Sequence, residues 1–435
     1  MTYTEPSAEI PVIASVDVLV LGAGPAGIGA AVWAARMGSN TMLIEQAGDV
    51  GGISTIGMMS HWTGNTKGGF YEEILTLSAD LNNTSEEYGF NGYPRQIINP
   101  ERLKTVYLKV LNDAGVKLRL YTFASNVIME DNVLKGVIIE SKSGREAVFA
   151  KVVIDCTGDG DIAAKAGATY YIGRESDGAM QPASIMFKVG GVDYNRAIFP
   201  GGFEHTVEVP AGEIQSLGKK NLPFPAGHVL LYRSSLPGVV TCNMTNCTGI
   251  DGTNADDLVK ATIICREQID PIIEFLRKYA PGYENCYLIS SASLIGIRET
   301  RHFKGVQTIT EQDIKDARVF DNWVVTKAHF NFDVHNMTGN GLDESGSQND
   351  FHQTNGYTIP YGCLVPESID GLLLAGRNIS GTHMAHANYR VMPICMNMGQ
   401  AAGIAASIAC KQNILPRDVV VSDIQQILQS NGVQP

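Results

Sequence analysis

Near-continuous apolar runs alternate with small-residue or amphipathic stretches at both ends of this chain, as parallel strands do when helices cross over between them. VDVLVL at residues 16–21 reads as a buried strand, AGIGAAVWAARMG as a helix stopped by Gly38, and TMLIE, ending at Glu45, as a second strand. Residues 85–125 predict a helix through PERLKTVYLKVLNDAG and then a strand, VKLRLYT. VIIESKSGREAVFAKVVIDC alternates like a hairpin turning at Ser143 and Gly144 and feeding a late apolar strand. ASIMFKVGGV predicts a strand, residues 254–279 a long helix broken by Pro271 and stopped by Pro281 and Gly282, and YLISSASLIGIRET a returning strand. Residues 336–356 are polar and glycine-rich and read as a long loop or lid. Residues 372–409 begin as a buried strand, cross a polar loop from Arg377 to Met392, and end as a small-residue helix, MGQAAGIAA.

A chain of 435 residues is long for one small core and suits two or three lobes. The pattern places one lobe at 14–175 plus 355–435, with an inserted lobe at 176–354. Its formal charge of −12 and pI near 5.2 disfavour a nucleic acid or an anionic membrane surface as partner. The first residues, MTYTEPSAEIPVIAS, lack the basic flank and apolar core of a targeting peptide, and no uncharged apolar run reaches bilayer length. The eight cysteines are scattered, with no CxxC pair, so reduced thiols and a cytoplasmic location are expected, and no metal.

The first strand runs straight into GAGPAG, which puts Gly22, Gly24 and Gly27 in GxGxxG spacing. Gly22 permits a tight turn, Gly24 a close pyrophosphate, and Gly27 close packing of helix on strand. Pro25 fits the first helical turn, where its missing N–H costs nothing, and Ala26 follows it. The helix N-terminus offers N–H groups to phosphate, and Glu45, 18 residues past Gly27, offers a carboxylate to ribose hydroxyls. Strand, glycines, helix, strand and acid in register specify a dinucleotide site far better than the glycines alone. Gly158 and Gly160 suggest a second phosphate loop, but Asp159 and Asp161 would repel a pyrophosphate there.

After Glu45 the chain continues QAGDVGGISTIGM, and here it resembles the two-dinucleotide-binding flavoproteins, whose E-x(n)-GG segment lies beside FAD. VVIDCTGDGD resembles that group's ATG motif, and LLLAGR at 372–377 its late FAD strand. Taken with GGISTIG, SSASLIGIRETRHFKG, IPYGCLVPESIDGLLLAGRNISGTHMAHANYRVMP and MGQAAGIAA, the whole chain resembles the bacterial FAD-dependent oxidoreductase family, related to the fumarate reductase flavoproteins. The resemblance implies an α/β fold: a Rossmann-like FAD domain assembled from both chain ends, with an inserted α+β substrate domain. It implies bound FAD, non-covalent, contacted by Gln46, Gly51, Gly52 and Thr55 beside the first motif. Thr157, Gly158 and Asp161 follow from the late strand, Gly376 and Arg377 from the last strand, and Gln400 and Ala401 from the final helix. It does not imply one substrate. His61 stands where some relatives tether FAD covalently. No second nucleotide unit for NAD is present, so electrons must come from the substrate or from an unidentified donor or acceptor.

For catalysis, the loop after the last strand supplies His383, His386, Asn388 and Arg390, close to the cofactor if the strand end faces it. Arg390, matching by location the active-site arginine of the fumarate reductase group, suits a substrate carboxylate or a developing oxyanion. In GIRETRHF, Arg298 is preferred over Arg301 as a substrate neighbour. In NFDVHN, Asp333 and His335 share one face of an extended segment, so the carboxylate can orient the imidazole as an acid or base. The expected activity is hydride transfer between flavin N5 and a small polar substrate, anionic or bearing a carbonyl or hydroxyl. Reduction of an activated alkene, or non-redox hydration or isomerisation supported by FAD, are the alternatives. Assembly as a homo-oligomer is a further expectation.

Overall fold

The computed structural model describes residues 1–79, 96–203, 205–346, 351, 353 and 355–435. Parts of two predicted segments, 85–95 and 347–350 with 352 and 354, lie outside the described residues. β1 (Val12–Leu21) is buried over its last four residues and hands the chain to α1 (Pro25–Arg36), which starts with Pro25 in its first turn, and β2 (Thr41–Ile44). α2 (Gly69–Ser78) and α3 (Pro100–Asp113) follow; α3 begins where the Asn99 side chain accepts the Arg102 N–H. Next come β3 (Lys117–Arg119), β4 (Phe123–Glu130), β5 (Val133–Ser141), β6 (Gly144–Asp155) and α4 (Asp161–Lys165).

The inserted lobe carries a four-stranded antiparallel sheet. Its strands are β7 (Phe187–Gly190), β8 (Leu231–Arg233), β9 (Val240–Cys242) and, after two helices, β10, in the order β8-β9-β7-β10. The helices are α5 (Ala255–Glu267) and α6 (Ile269–Tyr279), and β10 spans Tyr287–Ser291. The predicted single helix breaks at Gln268, earlier than Pro271, which sits in the first turn of α6 where a missing N–H is harmless. The Gln268 side chain is the reason: its Oε1 accepts the Asn246 N–H and its Nε2 donates to the Asn246 carbonyl, 2.8 and 2.9 Å away. The predicted returning strand is also shorter than its sequence suggests, ending at Ser291 before an irregular stretch.

The chain then comes home through β11 (Trp323–Ala328), β12 (Tyr357–Pro360), β13 (Leu372–Leu374), α7 (His383–Tyr389) and α8 (Met392–Gln412). β3-β2-β1-β6-β5-β4 form one sheet, and β13 adds in parallel to the end of β6. The strand ends stop level: Leu21 stands beside Ile44 and Asp155, and Asp155 beside Leu374. Everything that follows these four residues, namely Gly22, Glu45, Cys156 and Ala375, is delivered to one edge of the sheet, where open α/β sheets bind ligands.

One apolar core runs from Val16 to Ala168 and resumes at Phe303, while a second core holds residues 187–286. The first core thus takes up the chain ahead of residue 355. The β11–β12 pair is responsible, because it buries Trp323, Val324 and Val325 in the first core. α1 and α8 lie against each other with almost no side chain between them. A Cβ on Gly399 would stand 1.9 Å from the Ala26 carbonyl, and one on Gly403 2.3 Å from that of Ala30.

Candidate active site

A groove of about 420 Å³ runs along the level strand ends and takes its walls from both lobes. Gly22, Gly24, Pro25, Ala26, Glu45 and Gln46 line it from the first βαβ unit. Gly22 has φ +91°, and a Cβ there would meet the Cys156 carbonyl at 2.5 Å, so only glycine makes this turn. A Cβ on Gly24 would find open space, which is the room a phosphate needs to reach the uncapped start of α1. The Glu45 carboxylate accepts the Ala23 N–H at 2.7 Å and the Ala47 N–H at 2.8 Å, tying the phosphate turn to the end of β2.

Asp155, which sequence reasoning passed over, organises the neighbouring strand end. It is fully buried; one oxygen accepts from the Thr157 N–H and hydroxyl, the other from the N–H groups of Ile162 and Ala163. A carboxylate receiving the first N–H groups of α4 caps that helix and fixes Thr157 and Gly158 in the groove wall. Burial nevertheless pushes its pKa up. An Asp directly ahead of CTG at a strand end is the signal that reveals it. The two acids of the loop are occupied: Asp159 accepts from Arg377 at 2.9 Å and Thr300 at 2.8 Å, and Asp161 accepts from Arg301 at 2.9 Å. Arg377 also places Nη1, buried and without a hydrogen-bond partner, in the residue that lines the groove beside Gly376.

The polar wall comes from Arg298, Asp333, His335 and Arg390. Arg390 donates from Nη2 to the carbonyl of Asp333 at 2.9 Å and to its carboxylate at 3.0 Å; the His335 Nε2 lies 3.4 Å from the same carboxylate oxygen. Arg298 donates to the Pro182 carbonyl at 2.6 Å, and burial, then the charge of Arg390, lower its pKa to about 10. Burial, then the charge of Arg298, lowers His335 to about 4, so its ring is neutral at neutral pH. Burial alone would raise Asp333, yet its pKa is lowered by its cationic neighbours. With His335 neutral, Arg390 and Arg298 are the partners that keep it ionised.

A smaller cavity of about 120 Å³ adjoins this wall, sharing Asn243, Asp333 and His335 with the groove and adding Phe203 and Tyr232. His61 lies in that cavity and outside the groove lining, its ring 4.7 Å from that of Tyr232 and its nitrogens facing the Ser60 and Thr63 hydroxyls. Asn243, at the end of β9, was not singled out by any motif.

Several expected contacts fall elsewhere. The segment after the last strand is no open loop: residues 383–389 form α7, capped by the Thr382 hydroxyl, which accepts the Ala385 N–H. His383 and His386 are consequently buried with Glu299 and His302 and do not line the groove. Asn388 is likewise internal, bonded to Tyr357 and the Phe330 carbonyl. Gln400 and Ala401 also miss the groove. The Gln400 Oε1 accepts the Phe70 N–H while Asn397 accepts that of Tyr71, so α8 caps the start of α2 instead. Gly51 and Thr55 shape the turn, with Thr55 donating to the Val50 carbonyl at 2.5 Å, and of this segment's predicted residues Gln46 and Gly52 face the groove. Gly27 acts through closeness, since a Cβ there would stand 1.8 Å from the Gly22 carbonyl.

The groove's chemistry fits FAD: a bare helix start with room at Gly24, an acid at the end of β2, apolar walls from Ile53, Met186 and Leu294, and the unpartnered arginine nitrogen. Residues 17–428 match the family model described as FAD dependent oxidoreductase. A soluble pyridine nucleotide transhydrogenase of Hahella chejuensis is 29% identical over 147 residues, 33% of this chain and 30% of that protein. The chain thus matches less than a third of that relative's length. Among solved structures, a geranylgeranyl bacteriochlorophyll reductase-like protein of Thermoplasma acidophilum superposes with TM-score 0.52 at 15% identity, covering 96% of this chain and 84% of that one. The p-nitrophenol 4-monooxygenase of Pseudomonas putida gives 0.50 at 10% identity, with 96% and 84% covered. Those two share the fold and differ in chemistry. The chain belongs to the FAD-dependent oxidoreductase family, and its cofactor is FAD. Among the described residues no single helix is long and apolar enough to cross a membrane.

Proposed function

We propose that this FAD-dependent oxidoreductase moves a hydride between its cofactor and a small polar substrate held at the Arg298–Asp333–His335–Arg390 wall. The observation that carries the reading is a buried, neutral imidazole beside a carboxylate and two arginines, all lining the groove. Gly22, Gly24 and the start of α1 would hold the pyrophosphate, Glu45 a ribose, and Arg377 a further polar edge of FAD. Bound FAD supplies two-electron storage.

The chain supplies the rest. A substrate hydroxyl loses its proton to His335 as its carbon loses a hydride, leaving a carbonyl. Asp333 lies close enough to steady the imidazolium that forms. Arg298 and Arg390 suit a substrate carboxylate or the negative charge growing on oxygen, and burial strengthens both interactions. The reverse direction uses the same groups with His335 as the acid. A separate electron donor or acceptor, and assembly into a homo-oligomer, complete the proposal without support from the groove itself.

Anaerobic stopped-flow mixing of the holoenzyme with a panel of hydroxy acids, polyols and amino acids tests it. Bleaching of the flavin by one class, slowed in His335→Gln, is the expected result. Turnover with the flavin spectrum staying oxidised would instead support hydration or isomerisation, and turnover unaffected by loss of His335 would remove that residue's role.

A further inference from the structure

Behind the groove wall, two residue pairs with the same spacing meet. Glu299 and His302 are three apart at the entry to the strand Arg301–Phe303, and His383 and His386 are three apart in α7. All four are buried, with relative exposures of 1%, 0%, 2% and 1% in that order. Ligand atoms of Glu299, His302 and His386 lie within 4.8 Å of one another, and the His302 and His386 ring centres are 4.8 Å apart. The Glu299 Oε1 lies 2.8 Å from the His302 Nε2 and 2.6 Å from the His383 Nδ1. Two ring nitrogens, His383 Nε2 and His386 Nδ1, are buried with no hydrogen-bond partner. A polar atom left unpaired inside a protein costs about 1–3 kcal/mol, so the unpaired nitrogen of His386, beside Glu299 and His302, calls for an occupant.

We infer that Glu299, His302 and His386 form a buried site for one divalent transition-metal ion of the zinc class, with His383 bonded to the carboxylate from outside that donor set. One carboxylate and imidazoles form a donor set that such ions take. The surroundings supply the outer hydrogen bonds that metal-binding side chains need. The His302 Nδ1 faces the Gly381 carbonyl at 3.3 Å, which sets the tautomer that frees Nε2, and Tyr171 stacks on its ring. The other Glu299 oxygen accepts the Gln181 N–H at 3.2 Å.

Metal–ligand distances of about 2.0–2.2 Å place tetrahedral donors roughly 3.3 Å apart. Glu299 and His302 must therefore separate by about half an ångström from their 2.8 Å contact, releasing the proton between them, while His386 closes in. None of the four lines the groove, so the ion would be structural, joining the segment before β11 to α7.

Elemental analysis of untagged holoenzyme, chelator-treated, loaded with zinc chloride and desalted, tests this. About one equivalent of zinc per chain is expected in the wild type. At least about a ten-fold loss is expected in Glu299→Gln and His386→Asn at unchanged FAD content. No zinc retained by the wild type, or equal retention by wild type and variants, overturns the site. If both variants lose FAD and so fail to fold, zinc-edge anomalous scattering from wild-type crystals decides: a peak among Glu299, His302 and His386 supports it, and its absence refutes it.

Discussion

At the scale of residues, the strongest consequences come from imidazoles kept neutral by burial. His228 is lowered to about 3 by burial, then His335; His335 is lowered to about 4 by burial, then Arg298; and burial holds His386 well below its usual value. Each has a folded pKa below the unfolded value of about 6.5, so unfolding takes up protons once the pH drops below that value. Their stabilising contribution is fully present above about pH 6.5 and is lost as pH falls towards the folded values. Each group adds at most about 1.4 kcal/mol of stability loss per pH unit. Urea melts of the apoprotein between pH 7 and 5 should show this slope, and His335→Gln should remove roughly one third of it. A variant slope equal to the wild type would mean that His335 is charged or open to water. In the same wall, Arg390→Lys keeps the charge but replaces the planar guanidinium, whose Nη2 donates to both the carbonyl and the carboxylate of Asp333, with a shorter-reaching ammonium. Flavin reduction should then slow by about 10- to 100-fold with FAD still bound, measured in the same stopped-flow assay.

At the scale of elements, the crossing of α1 on α8 depends on missing side chains. Gly399→Val would drive a side chain into the Ala26 carbonyl, 1.9 Å from where its Cβ must sit. The helices must part, which costs about 1–3 kcal/mol and shifts the start of α1 in the groove. A lower melting temperature together with weaker FAD retention on desalting is expected; a lower melting temperature alone would separate the crossing from the cofactor. Gln400→Ala removes the acceptor at the Phe70 N–H and should cost about 1 kcal/mol through α2, with FAD affinity unchanged because Gln400 does not line the groove. Equilibrium unfolding and flavin titration of that variant check both halves.

At the scale of the whole molecule, the first lobe closes only when the two ends of the chain meet. β13 pairs with the end of β6, α8 lies on α1, and a Cβ added to Gly376 would stand 3.4 Å from that of Ala26. A chain ending at residue 354 would leave the apolar faces of β6 and α1 bare. It should show no cooperative melt and bind no FAD, by calorimetry and flavin fluorescence. A truncated chain that still melts cooperatively would show that the first half builds its own core.

Local pattern was enough for the first βαβ unit. Gly22, Gly24 and Glu45 reach the groove because turn, helix and strand spacing leave few other positions for them. Arg298, His335 and Arg390, singled out from GIRETRHF, NFDVHN and the segment after the last strand, also line the groove. The sequence could not tell which side of α7 and α8 would face the cofactor, because both helices are buried nearly all round and carry no polar face to read. Tertiary packing turned His383, His386 and Gln400 away from the groove. It also brought Glu299 to His383 across 84 residues, a distance over which no spacing rule operates. The same holds for β11 and β12: their pairing is non-local, and only the folded core shows where Trp323, Val324 and Val325 are buried.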